Sequence, residues 1–315
     1  MPLAILFRMV EKLKFFWETL KETAKEWAGS SSMQYSASLA YSAIFAIPGL
    51  LIIIIWVSGY FFGEKAIQGE ISAQIAGFMG TDVAQSIEQM ITDSLIDRDS
   101  ILMKTIGIIS LVFGATALFF QLQKSLNELW EVKPAPKKAL LKFLLDRANS
   151  FGMILVLGFL LMVTMVLTSV LSYFSVLLAR TFGMDMLFFS EIANFILGFL
   201  VVMTLFALMF KVLPDAEIPW KSVWTGAFLT TILFTIGKYL LSLYFREVKP
   251  SSVYGTSGTI ILIMLWVNYS CTLIFFGAIF TKVFTRKKGL KIIPSPHAKW
   301  SAAKLYKDSL ENETA

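Results

Sequence analysis

The sequence predicts an all-α integral membrane protein, a bundle of six transmembrane helices. Its 315 residues are 56% hydrophobic and 16% charged, with a mean hydropathy of +0.69, whereas soluble domains carry about 25% charged residues. Six apolar runs reach or approach the roughly 20 residues that a helix needs to span a bilayer. Each run is longer than a strand, and backbone in lipid must satisfy its own hydrogen bonds, so helices are expected.

The six predicted spans lie between residues 36 and 284, which form the predicted membrane domain. They are Ser38–Phe62, Thr105–Leu122, Ser150–Leu178, Ile192–Phe210, Val223–Phe245 and Gly258–Phe284. Of the 28 Lys and Arg residues, 21 lie in the terminal segments and alternate connections, six in the other connections, and Lys238 within a span. Because Lys and Arg accumulate in cytoplasmic segments, both termini are predicted to be cytoplasmic. An even number of spans likewise requires the two termini to lie on the same side.

The first 35 residues are predicted to form a cytoplasmic amphipathic arm. Apolar residues recur there at helical spacing with lysines between them: Phe7, Val10, Leu13, Trp17, Leu20, Ala24 and Trp27. This pattern is typical of a helix that lies on the inner leaflet with its apolar face in the lipid. A soluble regulatory role is the alternative. No cleavable signal peptide is expected, because the arm lacks a short apolar core ending in small residues.

Two further segments lie outside the predicted spans. Residues 63–104 are acidic and carry two apolar stripes, which predicts a short helical cap on the outer face. Asp93, Asp97 and Asp99 in this cap could bind a cation, but a solvated acidic face is favoured and no metal is expected. Residues 285–315 are predicted to form a basic cytoplasmic tail.

A lysine lies in the middle of the fifth apolar run. On a helix, residues three or four apart share a face, and Lys238 shares its face with polar neighbours. These residues, the Lys238 stripe, are Thr231, Thr235, Lys238, Ser242 and Arg246. Lipid offers them no partner, so the stripe is expected to face the bundle interior or a water-filled cavity. The alternative is that the Lys238 side chain extends to the outer membrane surface.

Other polar residues of the predicted spans are candidate ligand contacts. Asn268 lies near the middle of the sixth run, and Tyr41 lies near the inner end of the first. Pro48 and Gly49 predict a kink or break in the first helix, since proline removes a backbone donor. Such breaks often mark substrate sites, and a packing kink is the alternative. The polar connection around Tyr254 could present backbone N–H groups to an anion or form an ordinary turn.

Several classes of function lack their usual sequence signals. The chain has no GxxxxGK[ST] or GxGxxG loop, no HExxH and no cluster of Cys or His, so no nucleotide-driven motor, cofactor or metal centre is expected. With one cysteine, Cys271, no intrachain disulfide is expected. The net charge of +6 is explained by cytoplasmic lysines, so nucleic acid is not an expected partner. The chain is expected not to be an enzyme.

Four segments, taken in order, resemble the YihY/BrkB family of bacterial inner-membrane proteins. They are ASLAYSAIFAIPGLL (Ala37–Leu51), LQKSLNELWEVK (Leu122–Lys133), FKVLPDAEIPWKSVWTGA (Phe210–Ala227) and VYGTSGTIILIMLWVNYSCTLIFFGA (Val253–Ala278). The residues that carry the resemblance include Asn127, Trp130, Asp215, Trp220, Gly226, Trp266, Gly277 and Ala278. The resemblance covers nearly all of residues 38–284 and implies six inner-membrane helices. Members of this family have carried a ribonuclease label, others are tied to virulence or serum resistance, and a role in moving envelope lipids or other anionic compounds has been suggested for relatives.

The residues and the resemblance together favour a bacterial inner-membrane protein that transports or flips an anionic lipid or a small anion. A positive charge within lipid is costly unless an anion or water lies near it, so Lys238 is the expected contact, with Arg246 at an outer rim. One alternative is a non-catalytic envelope scaffold. A more remote one is a membrane-associated ribonuclease, although the metal site or acid–base pair that such an enzyme needs is not evident. Membrane lipids are the expected partners, and homo-oligomer formation is left open.

Overall fold

The structure is a computed structural model that describes residues 2–45, 85, 101–135, 185–248 and 257–313. These residues are mostly helical, as predicted. The helices are α1 (Pro2–Ala28), α2 (residues 32–45 of it described), α3 (Ile101–Leu129), α4 (Asp185–Val212), α5 (Trp220–Val248), α6 (Ser257–Lys287) and α7 (Ala302–Glu313). Four short strands accompany them: β1 (Val132–Pro134), β2 (Ala216–Glu217), β3 (Ile293–Pro294) and β4 (Ala298–Trp300).

Three helices among the described residues are long and apolar enough to cross a membrane. They cover Glu191–Val212 in α4, Trp220–Phe245 in α5 and Ile260–Lys287 in α6. These segments correspond to the fourth, fifth and sixth predicted spans, and each boundary differs from its prediction by no more than about one helical turn. The second predicted span lies within α3, and the described part of the first, residues 38–45, is helical.

Several predictions fall outside the described residues. These are the third span, the outer cap apart from residues 85 and 101–104, and the candidate positions Pro48, Gly49 and Tyr254.

The helix boundaries follow from local chemistry. α1 begins at Pro2, a position where the missing proline N–H is not needed by the helix. α5 begins after Pro219, whose carbonyl accepts a hydrogen bond from an N–H of the first helical turn. α6 ends where Gly289 adopts a φ of 66° and the Leu290 N–H bonds the Thr285 carbonyl at 3.0 Å. Glycine favours this left-handed helix end because it has no Cβ.

The chain divides into two compact units, of which the first comprises Met1–Thr23, Leu126–Ile232 and Gly277–Ala315. Its large, fully buried side chains are Leu126, Trp130, Val132, Phe210, Ile218, Val223, Phe280 and Val283. Two antiparallel ladders lie in this unit, where β1 pairs with β4 and β2 pairs with β3. Through these ladders the predicted basic tail is a folded part of the unit.

The second unit comprises Ala24–Ser125 and Leu233–Phe276. Its helices meet through aromatic pairs with near-perpendicular rings: Trp27 with Phe276, Tyr35 with Phe275 and Phe234 with Trp266, with centroid separations of 6.3, 6.2 and 6.1 Å. Edge-to-face pairs of this kind add about 0.5–1.5 kcal/mol beyond the area that they bury. Aromatic residues of α1, α2 and α5 therefore pack on α6 within this unit.

Glycine and threonine form a close contact between α5 and α6 in the first unit. A Cβ added at Gly226 would lie 1.8 Å from Thr281 Oγ1, and one added at Gly277 would lie 1.8 Å from Thr230 Oγ1. Thr230 and Thr281 are buried, and their hydroxyls donate to the Gly226 and Gly277 carbonyls at 2.7 and 2.8 Å. The same arrangement on both helices lets the two backbones pack directly, as small residues permit in membrane helices.

Candidate functional site

The Lys238 stripe lies along one flank of α5. Thr231 is buried, and its hydroxyl donates to the carbonyl four residues earlier at 2.7 Å. Thr235, Lys238 and Ser242 are partly buried. Arg246 lies one turn further along the helix, and its side chain is outside the part of the chain that the structure describes. The stripe is therefore continuous from a buried position to partly exposed ones.

The stripe borders two different faces of α5. One face is buried and includes Gly237 and Phe245, which is 2% exposed. The other face is apolar and exposed, and it includes Tyr239, Leu240 and Leu243, which are 50% exposed or more. By helical periodicity the stripe lies at the edge between them. A polar group at this edge reaches both the packed helices and the surroundings of the bundle.

The Lys238 amine lies over an aromatic ring of its own helix. Its Nζ atom is 5.1 Å from the centroid of the Tyr239 ring, and Tyr239 is 62% exposed. A cation over a tyrosine ring gains about 0.5–1 kcal/mol at an exposed site. This gain is smaller than the roughly 2.5–3.5 kcal/mol that a lysine costs at the centre of a membrane helix.

A tyrosine of α6 approaches α5 one residue before Lys238. A Cβ added at Gly237 would lie 2.2 Å from Tyr269 Oη, so only glycine leaves room for this hydroxyl. Sequence reasoning missed Tyr269 as a candidate residue. The available signal was a glycine directly before the lysine of an apolar helix, since such a glycine often marks a close approach between helices.

The other predicted contacts are placed differently. Asn268 is partly buried on α6, and its backbone carbonyl accepts the Thr272 hydroxyl at 2.9 Å. Tyr41 is 60% exposed on α2, and its ring packs on Phe45 of the same helix at 5.1 Å. Among the described residues, no hydrogen bond or ring contact joins Tyr41 to Lys238. The structure thus brings the Lys238 segment together with Tyr269, which the sequence did not predict.

A second group of residues in contact lies in the first unit and is called the motif cluster: Asn127, Trp130, Phe210, Asp215 and Ala278. Asn127 and Asp215 are buried and joined by two hydrogen bonds. Asn127 Nδ2 donates to Asp215 Oδ2 at 2.8 Å, and the Asp215 N–H donates to Asn127 Oδ1 at 2.7 Å. The end of α3 is thereby fixed to the connection between α4 and α5.

Trp130 extends the motif cluster to α6. Its Nε1 atom donates to the Ala278 carbonyl at 3.2 Å, and its ring stands edge-on to Phe210 with a centroid separation of 6.1 Å. Next to it, Lys282 pairs with Glu131 at 3.3 Å. Buried polar groups with partners of this kind rigidify a fold. The cluster is therefore an internal joint, and Asn127, Trp130, Asp215 and Ala278 are among the residues that carried the family resemblance.

Carboxylate, histidine and cysteine side chains form no group of three or more that could hold a metal ion within the described residues. His297 is exposed, Cys271 is buried and free, and the two lie in different units.

Comparison with known proteins places the chain in a family. The family model described as virulence factor BrkB matches residues 23–301. The chain belongs to this family. The BrkB match contains the motif cluster, the Lys238 stripe and the Gly–Thr contacts, and it confirms the resemblance seen in the sequence. No solved structure matches the chain.

Proteins named UPF0761 membrane protein are similar to this BrkB-family chain over most of its length. The protein of Aggregatibacter aphrophilus is 24% identical over 82% of this chain and 89% of its own. The protein of Haemophilus influenzae is 25% identical over 84% of this chain and 91% of its own length. That of Mannheimia succiniciproducens is 24% identical over 79% of this chain and 83% of its own length. Together with three apolar helices long enough to span a bilayer, these relatives identify a membrane protein of the BrkB family.

Proposed function

We propose that this BrkB-family membrane protein transports or flips an anionic lipid or a small anion, and that Lys238 is the electrostatic contact for this ligand. The observation that carries the proposal is the position of Lys238. It lies within a candidate span, at the edge of the packed face of α5 and beside the approach of Tyr269.

The depth of Lys238 in the candidate span is compatible with an anionic ligand. Lys238 is seven residues before the end of the Trp220–Phe245 span, or about 10 Å at 1.5 Å per residue. A charge at such a depth is stabilised by an opposite charge or by water. An anionic headgroup supplies the opposite charge, and hydroxyl groups such as those of Ser242 and Tyr269 donate hydrogen bonds to its oxygens. Lys238 and these hydroxyls are therefore the proposed first contacts.

We further propose six spans in the bacterial inner membrane, with both termini in the cytoplasm. Two observations support this arrangement. The three candidate spans of the structure coincide with the last three predicted ones, and 21 of 28 Lys and Arg residues belong to segments that the six-span arrangement places on one side.

Native mass spectrometry with lipid analysis tests Lys238 as a ligand contact. The wild type is extracted gently from its membrane beside Lys238→Met and the matched control Lys221→Met, which removes an exposed lysine at the start of the same helix. We expect an anionic lipid or small anion on the wild type and the control, and its loss from Lys238→Met. The same anions on all three proteins would contradict the proposed contact.

A scaffold function is the second candidate, because α7 presents apolar groups to its surroundings. Leu305 is 56% exposed and Tyr306 is 67% exposed on a helix that follows the ladders of the first unit. A scaffold would keep a membrane-protein partner through extraction and lose it when the chain is truncated after Ser301. Transport activity by the purified protein alone would argue against this alternative.

A further inference from the structure

α1 has two apolar faces, of which one is docked on the end of α6. Phe15 stands edge-on to Phe284 with a centroid separation of 6.0 Å, and Phe16 packs on Phe280 at 5.9 Å. Thr19, one turn from Phe15, is fully buried. The stripe predicted from the sequence contains none of these three residues, so the docked face was missed. The apolar residues predicted for this arm, such as Val10, Leu13 and Trp17, lie mainly on the opposite face of α1.

Charged groups fix the docked helix further. Glu22 forms ion pairs with Arg286 and with Lys287, the latter at 3.1 Å. The Lys288 amine lies 4.5 Å from the centroid of the Phe15 ring. These contacts, together with the phenylalanine pairs, fix both the position and the rotation of α1 about its own axis.

The docked face of α1 contacts α6 near the end of its candidate span. Phe280 and Phe284 belong to the last two turns of the candidate span Ile260–Lys287. They lie seven and three residues before its end, or about 10 and 5 Å at 1.5 Å per residue. Interfacial helices bury their apolar face about 5–10 Å into the boundary between headgroups and acyl chains. The contacts of α1 with Phe280 and Phe284 thus lie at a distance from the span end that matches the depth of such helices.

The outer face of α1 is apolar and exposed. It comprises Val10, Leu13 and Trp17, which recur at helical spacing and are 60, 75 and 56% exposed. Lys14 and Lys21 flank this row on one side, and the Lys21 amine lies 5.5 Å from the Trp17 ring centroid. An apolar row with lysines along its edge is complementary to a leaflet of anionic phospholipid, which takes the row into its acyl boundary and the amines at its headgroups.

We propose that the outer face of α1 binds the anionic phospholipid surface of the leaflet at the C-terminal end of α6. Val10, Leu13 and Trp17 enter the acyl boundary, and Lys14 and Lys21 contact phosphate groups. The ion pairs of Glu22 with Arg286 and Lys287 hold this helix against the last candidate span. This inference does not depend on transport or on Lys238. It concerns a helix whose first 21 residues precede the BrkB match, which begins at residue 23.

Spin labels on the full-length protein in lipid nanodiscs test the proposal. One label is placed at Leu13→Cys and a matched one at Glu18→Cys, an exposed position on the other side of the lysines, both in a Cys271→Ser background. In nanodiscs containing phosphatidylglycerol, we expect the label at position 13 to collide with oxygen more than with a water-soluble nickel reagent. The label at position 18 should show the reverse. A water-exposed label at position 13 overturns the proposal, and so does one shielded from both reagents, which indicates a protein partner or a second copy.

A second comparison tests the anionic part of the proposal. Each lysine near an anionic surface strengthens attachment roughly five-fold. The depth of the label at position 13 should therefore increase from phosphatidylcholine to phosphatidylglycerol nanodiscs in the wild-type helix. It should not increase when Lys14→Gln and Lys21→Gln are present. Equal depth in the two lipids for the wild-type helix overturns recognition of the anionic headgroup.

Discussion

Gly226 and Gly277 allow the backbones of α5 and α6 to touch in the first unit. Each glycine faces a threonine of the other helix, and a Cβ at either glycine would lie 1.8 Å from a threonine oxygen. Such an overlap forces either the threonine or the helix to shift. The close contact therefore depends on the absence of a side chain at Gly226 and at Gly277.

Gly277→Ala should lower the stability of the folded protein. Overpacking of this kind costs about 1–3 kcal/mol, and the loss should appear as a lower thermal unfolding midpoint in detergent. Adding Thr230→Ala should recover part of the loss, because it removes the atom that the new methyl group meets. Gly198→Ala is the control, since a Cβ there has nothing within 4 Å. Equal midpoints for Gly277→Ala and wild type would contradict the close contact.

The sequence indicated some residues of the candidate site but not the contacts between them. Lys238 stood out because charged residues are rare in apolar runs, and the structure places it at the edge of the packed face of α5. Tyr269 was missed because an approach between two helices leaves no periodic signal on either one. Asn127 and Asp215 were found as motif residues, but their pairing across 88 positions is a property of the tertiary fold.

At the scale of elements, the contact of α1 with α6 combines rings and ion pairs around Glu22. Burial raises the pKa of Glu22, but hydrogen bonds from Lys287 and Arg286 outweigh burial and hold the pKa below its ordinary value of 4.5. A carboxylate with a lowered pKa stabilises the folded state fully above its unfolded pKa. This stabilisation is lost as the pH falls through the folded pKa.

Glu22→Gln should therefore lower stability at neutral pH and have no effect in acid. The Glu22 side chain is 35% exposed, so solvent screens its pairs, and the expected loss is about 0.2–1 kcal/mol. The thermal unfolding midpoints of wild type and variant in detergent should differ by a constant amount well above pH 4.5. This difference should disappear as the pH falls through the lowered pKa of folded Glu22. Glu18→Gln, at an exposed position of the same helix, is the control. A difference that persists in acid would show that Glu22 acts through packing.

The helices were largely predictable and the strands were not. Spans four to six were predicted with boundaries close to those of the three candidate spans in the structure, because a bilayer requires long apolar segments. The two ladders have only two or three residues in each strand, too few for a periodic pattern. Their partners are distant in sequence, so the all-α prediction omitted them.

At the scale of the whole molecule, the two units carry different kinds of polar group. The first contains the motif cluster, where buried donors and acceptors meet each other. The second contains Lys238 at the edge of the packed face of α5, beside Tyr269. Four residues that carry the family resemblance, Asn127, Trp130, Asp215 and Ala278, form an internal joint. The proposed ligand contact rests instead on the membrane chemistry of one lysine.

Measuring lipid and anion movement by the purified protein in vesicles tests whether the protein moves an anion and whether Lys238 contacts it. Wild type, Lys238→Met and Lys221→Met are reconstituted with fluorescent phosphatidylglycerol, and separately with vesicles loaded with inorganic phosphate. We expect wild type and Lys221→Met to move one of these anions. Lys238→Met should slow this movement about ten-fold or more, the effect of losing roughly 1.4 kcal/mol of stabilisation. Equal rates for all three proteins would contradict the proposed role of Lys238. No movement of either anion by wild type would contradict the proposed transport.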